Sequence, residues 1–588
     1  GEHLQQLDEQ DLSALIEQLE ALAPEAVAIN LLFSFFDDSE ELKIEAAISG
    51  MADREIFISR SSDVLPEYKE FERGMTTALN AKVGPLMQGY LQRLENALTA
   101  QGKKDVALSV MQSSGGTTSA EQAGRYPVNL LLSGPAGGLK GAQHVAGASG
   151  EERLLSFDMG GTSTDVSIID RAIGFTTGAK IGGYPVAVPM VDMHTIGAGG
   201  GSIAQVDAGG LLLVGPESAG ASPGPACYGK GGIQPTVTDA NVVLGRLLPQ
   251  SFLGGNMQLD KDAAFAAVKT IAEPLGLTVE KAAQGIIDVV NDHMVRALRV
   301  MSVERGEDPK EFTLVSFGGA GGLHVCALAE ELEMSKALVP VNAGVLSALG
   351  MLAAEASRER SRTINKLLKD CDAESVDKLF EELVDHAIEE LTPNEETVIA
   401  RDEAVVVHGR TVNEPNDGIS GSGCEVGRLP RFARNDGSYD SNDGFYGRND
   451  DIKINLSIDV RYQGQSNALN LPWQGLQAIE AAFHQKHKDS YGHDMDIDIE
   501  LVNVRVRAIQ QRGSFVLPKW QATDASDEQV TTMPGVQGQV PVINRAGLKV
   551  GQLIQGPALI VETSSTTWLD EGWDAEVDEV GNLKLVRI

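Results

Sequence analysis

The stretch SFDMGGTSTDVSIID, residues 156–170, constrains the fold more than any other part of the chain. Two apolar runs flank a pair of glycines, Gly160 and Gly161, and an aspartate borders each run on the glycine side, Asp158 and Asp165. This pattern predicts a β-hairpin with a glycine-rich tip. Glycines let backbone N–H groups converge on an anion without interference from Cβ atoms.

The same hairpin carries the groups that a phosphate and a cation need. Thr162 and Thr164 add hydroxyl donors to the glycine tip. Asp158, at the strand end, can hold Mg²⁺ directly or through water, and Asp165 is placed to do the same or to orient a water. We therefore predict Asp158 and Asp165 as catalytic residues, Asp158 also as a metal ligand, and the tip as a cofactor-binding loop. A tight hairpin with incidental aspartates is the alternative interpretation.

A second glycine cluster follows the apolar run EFTLVSF at residues 318–322. The pattern indicates a strand, a turn and a helix whose N-terminus attracts anions or a polar ring. We predict that Gly318, Gly319, Ala320 and Gly321 contact a cofactor; a close strand-to-helix packing turn is the alternative. The chain has no G-x-x-x-x-G-K-[ST] loop, and its glycine clusters do not fit G-x-G-x-x-G.

A further metal site is a weaker prediction. Asp192 and His194 stand two residues apart in VDMHTIGAGGGSIA and share a face if this segment is a strand. With Cys227, Asp239 or His324 they could bind a further divalent metal. Otherwise they orient a substrate or the loop. The histidines at 484, 487 and 493 lack metal-site spacing, which favours a structural or subunit-contact role.

Composition excludes some classes of protein. The formal net charge of −35 argues against a nucleic-acid partner. No apolar run approaches the roughly 20 residues of a membrane span, so we expect no membrane partner. The four cysteines include no C-x-x-C pair, which favours reduced thiols and a cytoplasmic localisation.

The order of patterns predicts an α/β protein of about two to four domains. Helical periodicity marks residues 9–23, 261–304 and 374–391, and residues 500–588 are mostly strand-like. Residues 414–451 are rich in Asn, Asp, Gly and Ser. We expect them to form an inserted, mobile loop without chemistry of its own.

Several motifs, in order, resemble the hydantoinase A / 5-oxoprolinase family. They are FDMGGTSTDVSII, LLSGPAGGLKGA, HTIGAGGGSIA, GPACYG, TVTDANVVLGRL, FGGAGGLHVCALA and GVLSALGML, with RYQGQ, YGH and GPALIVE towards the C-terminus. The resemblance covers nearly the whole chain except residues 414–451.

The resemblance implies an actin/Hsp70/sugar-kinase-like ATPase core made of ribonuclease-H-like lobes, plus a β-rich C-terminal α+β domain. On this basis residues 1–71 are the remainder of the N-terminal lobe. Residues 72–365 are the core, and residues 366–588 are the C-terminal domain. Residues 158–165 would be the second phosphate-binding hairpin and residues 318–322 the adenosine-side turn.

The resemblance also implies ATP and Mg²⁺ as cofactors. Family members open cyclic amides such as 5-oxoproline, hydantoin or N-methylhydantoin through phosphorylation of the carbonyl oxygen. The implied partners are the amide substrate and a hydantoinase B-type subunit, a homo-oligomer, or both. The alternatives are an ATPase subunit of an acetone or acetophenone carboxylase and, less favoured, a sugar kinase.

The chain departs from the family in one respect. Family members carry a first phosphate hairpin near the N-terminus, whereas this chain has only the copy at 158. We expect an N-terminally truncated chain, a partner that supplies the segment, or an inactive copy. A non-catalytic fragment is therefore a further alternative.

Overall fold

The computed structural model describes residues 7–51, 55–103, 106–391, 445–449, 451–511, 515–524 and 529–588, the strand 445–449 by its backbone alone. These residues form a mixed α/β structure, as predicted.

The α-helices of the described residues are α1 Glu9–Leu22, α2 Ser39–Ser49, α3 Ser61–Val64, α4 Glu70–Ala100, α5 Ala120–Arg125, α6 Ser133–Ala148, α7 Val237–Val243, α8 Lys261–Leu275, α9 Val279–Met301, α10 Val325–Glu331, α11 Leu346–Ala353, α12 Ala373–Leu391 and α13 Leu476–Tyr491.

The strands of the first half are β1 Ala26–Ile29, β2 Phe57–Arg60, β3 Ser109–Met111, β4 Thr117–Ser119, β5 Arg153–Met159, β6 Thr164–Asp170, β7 Ala172–Ile173, β8 Phe175–Thr176, β9 Ala179–Ile181, β10 Tyr184–Val186, β11 Met190–Val191, β12 His194–Ile196, β13 Ser202–Val206 and β14 Leu212–Ser218. Those of the second half are β15 Thr313–Phe317, β16 Lys336–Val339, β17 Ala356–Leu367, β18 Phe445–Asn449, β19 Ile452–Tyr462, β20 Leu469–Pro472, β21 Ile499–Gln510, β22 Gln529–Thr531, β23 Val540–Asn544, β24 Leu553–Gln555, β25 Ala558–Val561, β26 Thr566–Leu569, β27 Trp573–Val577 and β28 Leu583–Arg587.

The N-terminal residues form a small α/β unit around the parallel pair β1–β2. Helix α1 begins at a capping box in which the Asp8 and Asp11 side chains each accept from the other's backbone. It ends where Ala23 turns into the left-handed conformation, one residue before Pro24. The predicted helix at 9–23 is therefore confirmed.

The central sheet runs in the order β12-β6-β5-β15-β16-β28-β27-β24, with β7 beside β6. Its middle strands β5 and β15 are parallel and almost fully buried. Such strands need apolar cover on both faces. The predicted helical stretch at 261–304 forms part of that core as two helices, because Gly276 ends α8 with a φ of 65° and Thr278 caps α9.

A second sheet runs β18-β19-β21-β17-β4-β3, with β20 beside β19. Helices α12 and α13 share an apolar core with it. The predicted inserted loop at 414–451 lies mostly outside the described residues. Of that range, residues 445–449 form strand β18, which pairs with β19.

The C-terminal residues divide between two sheets. Strands β24, β27 and β28 extend the central sheet, whereas β22, β23, β25 and β26 form a separate four-stranded sheet. The domain boundaries stay a prediction. Residue 72 lies inside α4 and residue 366 inside β17.

None of the helices in the described ranges combines the length and the apolar character needed to cross a membrane.

Candidate functional site

The predicted hairpin is present as the antiparallel pair β5–β6. Asp158, one residue before the end of β5, lies directly opposite Asp165, the second residue of β6. The hairpin thus brings two carboxyl groups face to face at the edge of the glycine tip.

Burial and mutual repulsion make this pair electrostatically unusual. Burial first, and then the charge of Asp165, raise the pKa of Asp158 to about 7. Burial also raises the pKa of Asp165, against a hydrogen bond of 2.5 Å from Thr195 Oγ1 to Asp165 Oδ1. Within the described ranges neither aspartate has an ion-pair partner, so the pair is arranged to take up a proton or a cation.

The glycine tip rests on a second glycine loop. The N–H of Gly200 donates to the Gly160 carbonyl at 3.0 Å, and the N–H of Gly201 donates to the Gly161 carbonyl at 2.6 Å. A Cβ on Gly199 would lie 2.8 Å from the backbone nitrogen of Thr162. The loop 199–201 therefore fixes the tip from behind and has no room for side chains.

The two predicted hydroxyl donors differ in what they contact. The buried Thr164 hydroxyl donates to the Ala198 carbonyl at 2.6 Å, so its proton is committed to holding the second loop. Thr162 is exposed at the tip. Of the two, Thr162 is the one free to meet an external phosphate.

The predicted turn at Gly318 meets the hairpin directly. Strand β15 runs parallel to β5 with Phe317 opposite Asp158, so Gly318 follows at the level of the carboxyl group. Gly318 has a φ of 81°, and a Cβ there would lie 2.3 Å from Asp158 Oδ1. The N–H of Ala320 donates to the Met159 carbonyl at 3.1 Å.

The expected helix N-terminus at this turn is not at the site. A buried 3-10 turn, Gly321–Leu323, separates the glycines from α10, which starts only at Val325. Gly321 is buried, while Gly319 is exposed. The backbone of the turn itself, and not a helix end, therefore faces the hairpin.

His324, the next residue, is fully buried, and its Nδ1 lies 2.7 Å from Asn291 Oδ1. Burial and then the charge of Arg246 lower the pKa of His324 to about 3, so the ring is neutral. Because the ring is packed within the core, it does not form the predicted metal site with Asp192 and His194.

The structure gives the other predicted metal-site residues different contacts. Asp192 pairs with Arg305, whose Nη2 lies 3.2 Å from Asp192 Oδ1, and His194 sits in β12 opposite Val166. Asp239 caps α7 and accepts from the Cys227 N–H at 2.8 Å. Across the described ranges no three His, Cys, Asp or Glu side chains are grouped to hold a metal ion. The second metal site remains a prediction from the sequence.

The three C-terminal histidines make internal contacts. His484 Nδ1 lies 2.7 Å from the Tyr462 hydroxyl, and His487 Nδ1 lies 2.7 Å from the His493 carbonyl. These bonds fit the predicted structural role.

Sequence reasoning missed two parts of the site. Thr195 lies 30 positions after the aspartate that it contacts, and no local pattern marks it. The supporting loop, Gly199 to Gly201, could have been recognised from the sequence, because three consecutive glycines indicate close backbone approach.

Comparisons with known proteins agree on the family. Residues 73–360 match the family model described as Hydantoinase/oxoprolinase. The alpha subunit of caprolactamase from Pseudomonas jessenii is 32% identical over 605 residues, which cover 100% of this chain and 80% of that one. The 5-oxoprolinase PfmaA of Pestalotiopsis fici is 30% identical over 595 residues, 95% of this chain and 41% of the relative.

A shorter match is the acetophenone carboxylase gamma subunit of Aromatoleum aromaticum, 34% identical over 363 residues, which cover 60% of this chain and 48% of the subunit. Among solved structures, the ATP-dependent caprolactamase of Pseudomonas jessenii superposes with a TM-score of 0.79 at 32% identity, over 100% of this chain and 80% of that one. Nucleotide-free acetone carboxylase superposes with a TM-score of 0.71 at 23% identity, over 99% of this chain and 79% of that one, and shares the fold. The motifs, the hairpin and these similarities lead to one conclusion: the chain belongs to the hydantoinase/oxoprolinase family.

Proposed function

We propose that this chain is the ATP-using subunit of a cyclic amide hydrolase. The observation that carries the proposal is the carboxyl pair Asp158–Asp165, which lies at a glycine-built tip without a cation partner among the described residues. Relatives named as caprolactamase and 5-oxoprolinase support the reaction class.

The residues present fit a Mg²⁺-bound triphosphate. Two facing carboxyl groups provide the hard oxygen ligands that Mg²⁺ prefers. A cation between them would relieve the repulsion that raises the pKa of Asp158. Gly318 leaves room beside Asp158 that a Cβ would fill.

Each residue then has a defined task. Asp158 and Asp165 would hold the cation, and Thr195 keeps Asp165 in place through its hydrogen bond. The N–H of Gly161 and the exposed Thr162 hydroxyl would meet the phosphates, whereas the Gly160 N–H donates to the Ser163 carbonyl at 3.1 Å and holds the tip in shape. When bound, Mg-ATP supplies the phosphoryl group that activates the amide carbonyl oxygen, with the cation neutralising developing charge.

We also propose that the central sheet belongs to an actin-like ATPase core in which residues 318–321 lie on the adenosine side. Parallel β5 and β15 join the hairpin and the turn in one sheet, which supports this arrangement. Because matching relatives are named as subunits, we propose a hydantoinase B-type partner for the hydrolytic step.

The test is phosphate release from Mg-ATP by the full chain, with and without a B-type subunit. The amides are 5-oxoproline, hydantoin, N-methylhydantoin and caprolactam. We expect one of them to stimulate release, and Asp158→Asn to remove the stimulation. Asp170→Asn, at the exposed far end of the paired strand β6, is the control and keeps the activity.

Absence of stimulation by every amide, with the B-type subunit present and ATP bound, would contradict amide hydrolysis. If bicarbonate and a ketone stimulated release instead, the carboxylase alternative would replace it.

A further inference from the structure

A cavity of about 400 Å³ lies on the face of the second sheet. Its walls are strands β17, β19 and β21, the segment 64–67 and the segment 187–189. No residue of the hairpin 158–165 lines it. This volume falls within the range of pockets that hold small molecules.

The cavity wall is strongly charged, with four arginines and four carboxylates. Most of these charges neutralise one another. Arg505 lies 2.7 Å from both Glu67 and Asp459, and these two carboxylates also accept further hydrogen bonds from neighbouring side chains. These groups are occupied and have little capacity left for a ligand.

Two further arginines are paired as well. Arg360 forms a short ion pair with Glu390. Arg507 Nε lies 3.2 Å from Glu359 Oε1, an ion pair without hydrogen-bond geometry, and its guanidinium stacks 4.2 Å from the centre of the Phe175 ring. The remaining cation of the described wall is Arg358.

Arg358 is buried and has no carboxylate partner within the described ranges. Its Nη1 donates to the backbone carbonyls of Ser357, at 2.7 Å, and Thr117, at 3.4 Å, and its Nε is buried with no partner. Burial lowers its pKa, and the opposing influences of Glu390 and Arg360 are secondary. A buried cation without a counter-ion is costly, and an anion bound beside it offsets that cost.

Two other lining residues carry polar atoms without partners. Ser114 Oγ and Asn455 Oδ1, on other parts of the wall, are both buried without a hydrogen-bond partner. The amide and the hydroxyl suit the donors and acceptors of a small polar molecule. Tyr126 and Phe175 add flat apolar surface to the wall.

We propose that this cavity binds a small molecule bearing one carboxylate, with Arg358 as its counter-ion. A planar guanidinium matches a carboxylate in two parallel hydrogen bonds. The ligand is either an acidic cyclic amide, as a substrate, or another small carboxylic acid, as an effector. The reading of the ligand as a substrate rests on the proposed function, whereas the binding of a carboxylate beside Arg358 does not.

Isothermal titration calorimetry of the full chain tests the proposal with three ring compounds of matched size. They are 5-oxoproline, which has an amide and a carboxylate, cyclopentanecarboxylate, which has a carboxylate only, and 2-pyrrolidinone, which has an amide only. We expect 5-oxoproline to bind and 2-pyrrolidinone to bind at least tenfold more weakly. Cyclopentanecarboxylate separates the two sources: weak binding assigns the site to an acidic cyclic amide, and equal binding assigns it to small carboxylates in general.

Two variants make the test specific. Arg358→Gln should weaken 5-oxoproline binding by roughly 10-fold to 100-fold, the loss of a hydrogen bond to a charged group. Arg362→Gln is the control, since Arg362 lies on the same strand but pairs with Glu382 at an exposed position.

Equal binding of 5-oxoproline and 2-pyrrolidinone, absence of 5-oxoproline binding, or unchanged affinity in a folded Arg358→Gln would overturn the proposal. Each of these results can occur while Mg-ATP turnover persists, so failure here is distinct from failure of the proposed function.

Discussion

Two regions of this molecule bury carboxyl groups in surroundings that shift their pKa values in opposite directions. In the second sheet, Arg505 and two amides surround the Asp459 carboxylate, and its pKa is lowered although burial alone would raise it. At the hairpin, Asp158 meets another carboxyl group and a glycine turn, and its pKa rises to about 7.

The difference separates structural from functional burial. A carboxylate that its neighbours already satisfy stabilises the fold and has no capacity left for a ligand. A carboxyl group that its neighbours leave unsatisfied costs stability, and a bound cation offsets that cost. The hairpin is therefore the functional region, and the Glu67–Arg505–Asp459 cluster is a structural one.

The largest effect expected is on catalysis. Asp158→Asn removes a cation ligand without changing side-chain volume, so amide-stimulated ATP turnover should fall by roughly 10²-fold to 10³-fold. The thermal unfolding temperature should not fall. Phosphate-release assays beside the Asp170→Asn control measure the first quantity and scanning calorimetry the second. Full turnover in Asp158→Asn would remove the hairpin from the mechanism.

The structural cluster should respond in the opposite way. Arg505→Met leaves Glu67 and Asp459 buried without their counter-ion, and we expect a loss of about 3–5 kcal/mol in the free energy of unfolding. Arg362→Met, at an exposed pair, should change it by less than about 0.5 kcal/mol. Urea unfolding of both variants compares them. Equal losses would show that the cluster holds the fold no better than a surface pair.

Gly318→Ala tests the contact between the turn and the hairpin. A Cβ there would meet Asp158 Oδ1 and the Met159 carbonyl, and the φ of 81° is unfavourable for alanine. We expect a loss of about 1–3 kcal/mol in stability and a reduced turnover. For stability, Gly319→Ala is the matched control, because its Cβ would lie 3.6 Å from the nearest atom, the Ser564 carbonyl. Equal stability of the two alanine variants would show that the close contact between Gly318 and Asp158 does not matter.

The smallest effect concerns pH. A pKa that is raised in the folded state means that the folded chain binds the proton more tightly. Asp158 therefore favours folding below its unfolded pKa of about 3.9, and this contribution is lost as the pH rises to 7.

Without Mg²⁺, Asp158→Asn should thus gain stability over the parent chain between pH 4 and 8, by about 1 kcal/mol because solvent screens part of the effect. Thermal unfolding of both proteins in chelator across this range measures the gain. A constant difference at every pH would show that Asp158 does not titrate there.

The local parts of this structure could be predicted from sequence. Alternating apolar residues around two glycines defined β5 and β6, and a fixed hairpin register made Asp158 and Asp165 neighbours. Helix α1 was recognisable because its apolar spacing ends at Pro24. In each of these cases the interacting residues are close in the chain.

Contacts between distant segments could not be predicted. Thr195 reaches Asp165 because β12 pairs with β6, and a single sequence holds no record of that pairing. Asp239 was a candidate metal ligand, yet Thr236 and Asp239 form a T-x-x-D capping box, a local signal that sequence reasoning could have used. The cavity beside Arg358 is assembled from distant segments and has no linear motif at all.

The central claim is that Asp158 and Asp165 hold the cation of Mg-ATP. The most direct test is calorimetric binding of a non-hydrolysable ATP analogue to the full chain, with Mg²⁺ or with chelator, for the parent and Asp158→Asn. We expect Mg²⁺ to tighten binding to the parent and this tightening to disappear in the variant. The same Mg²⁺ dependence in both proteins would contradict it.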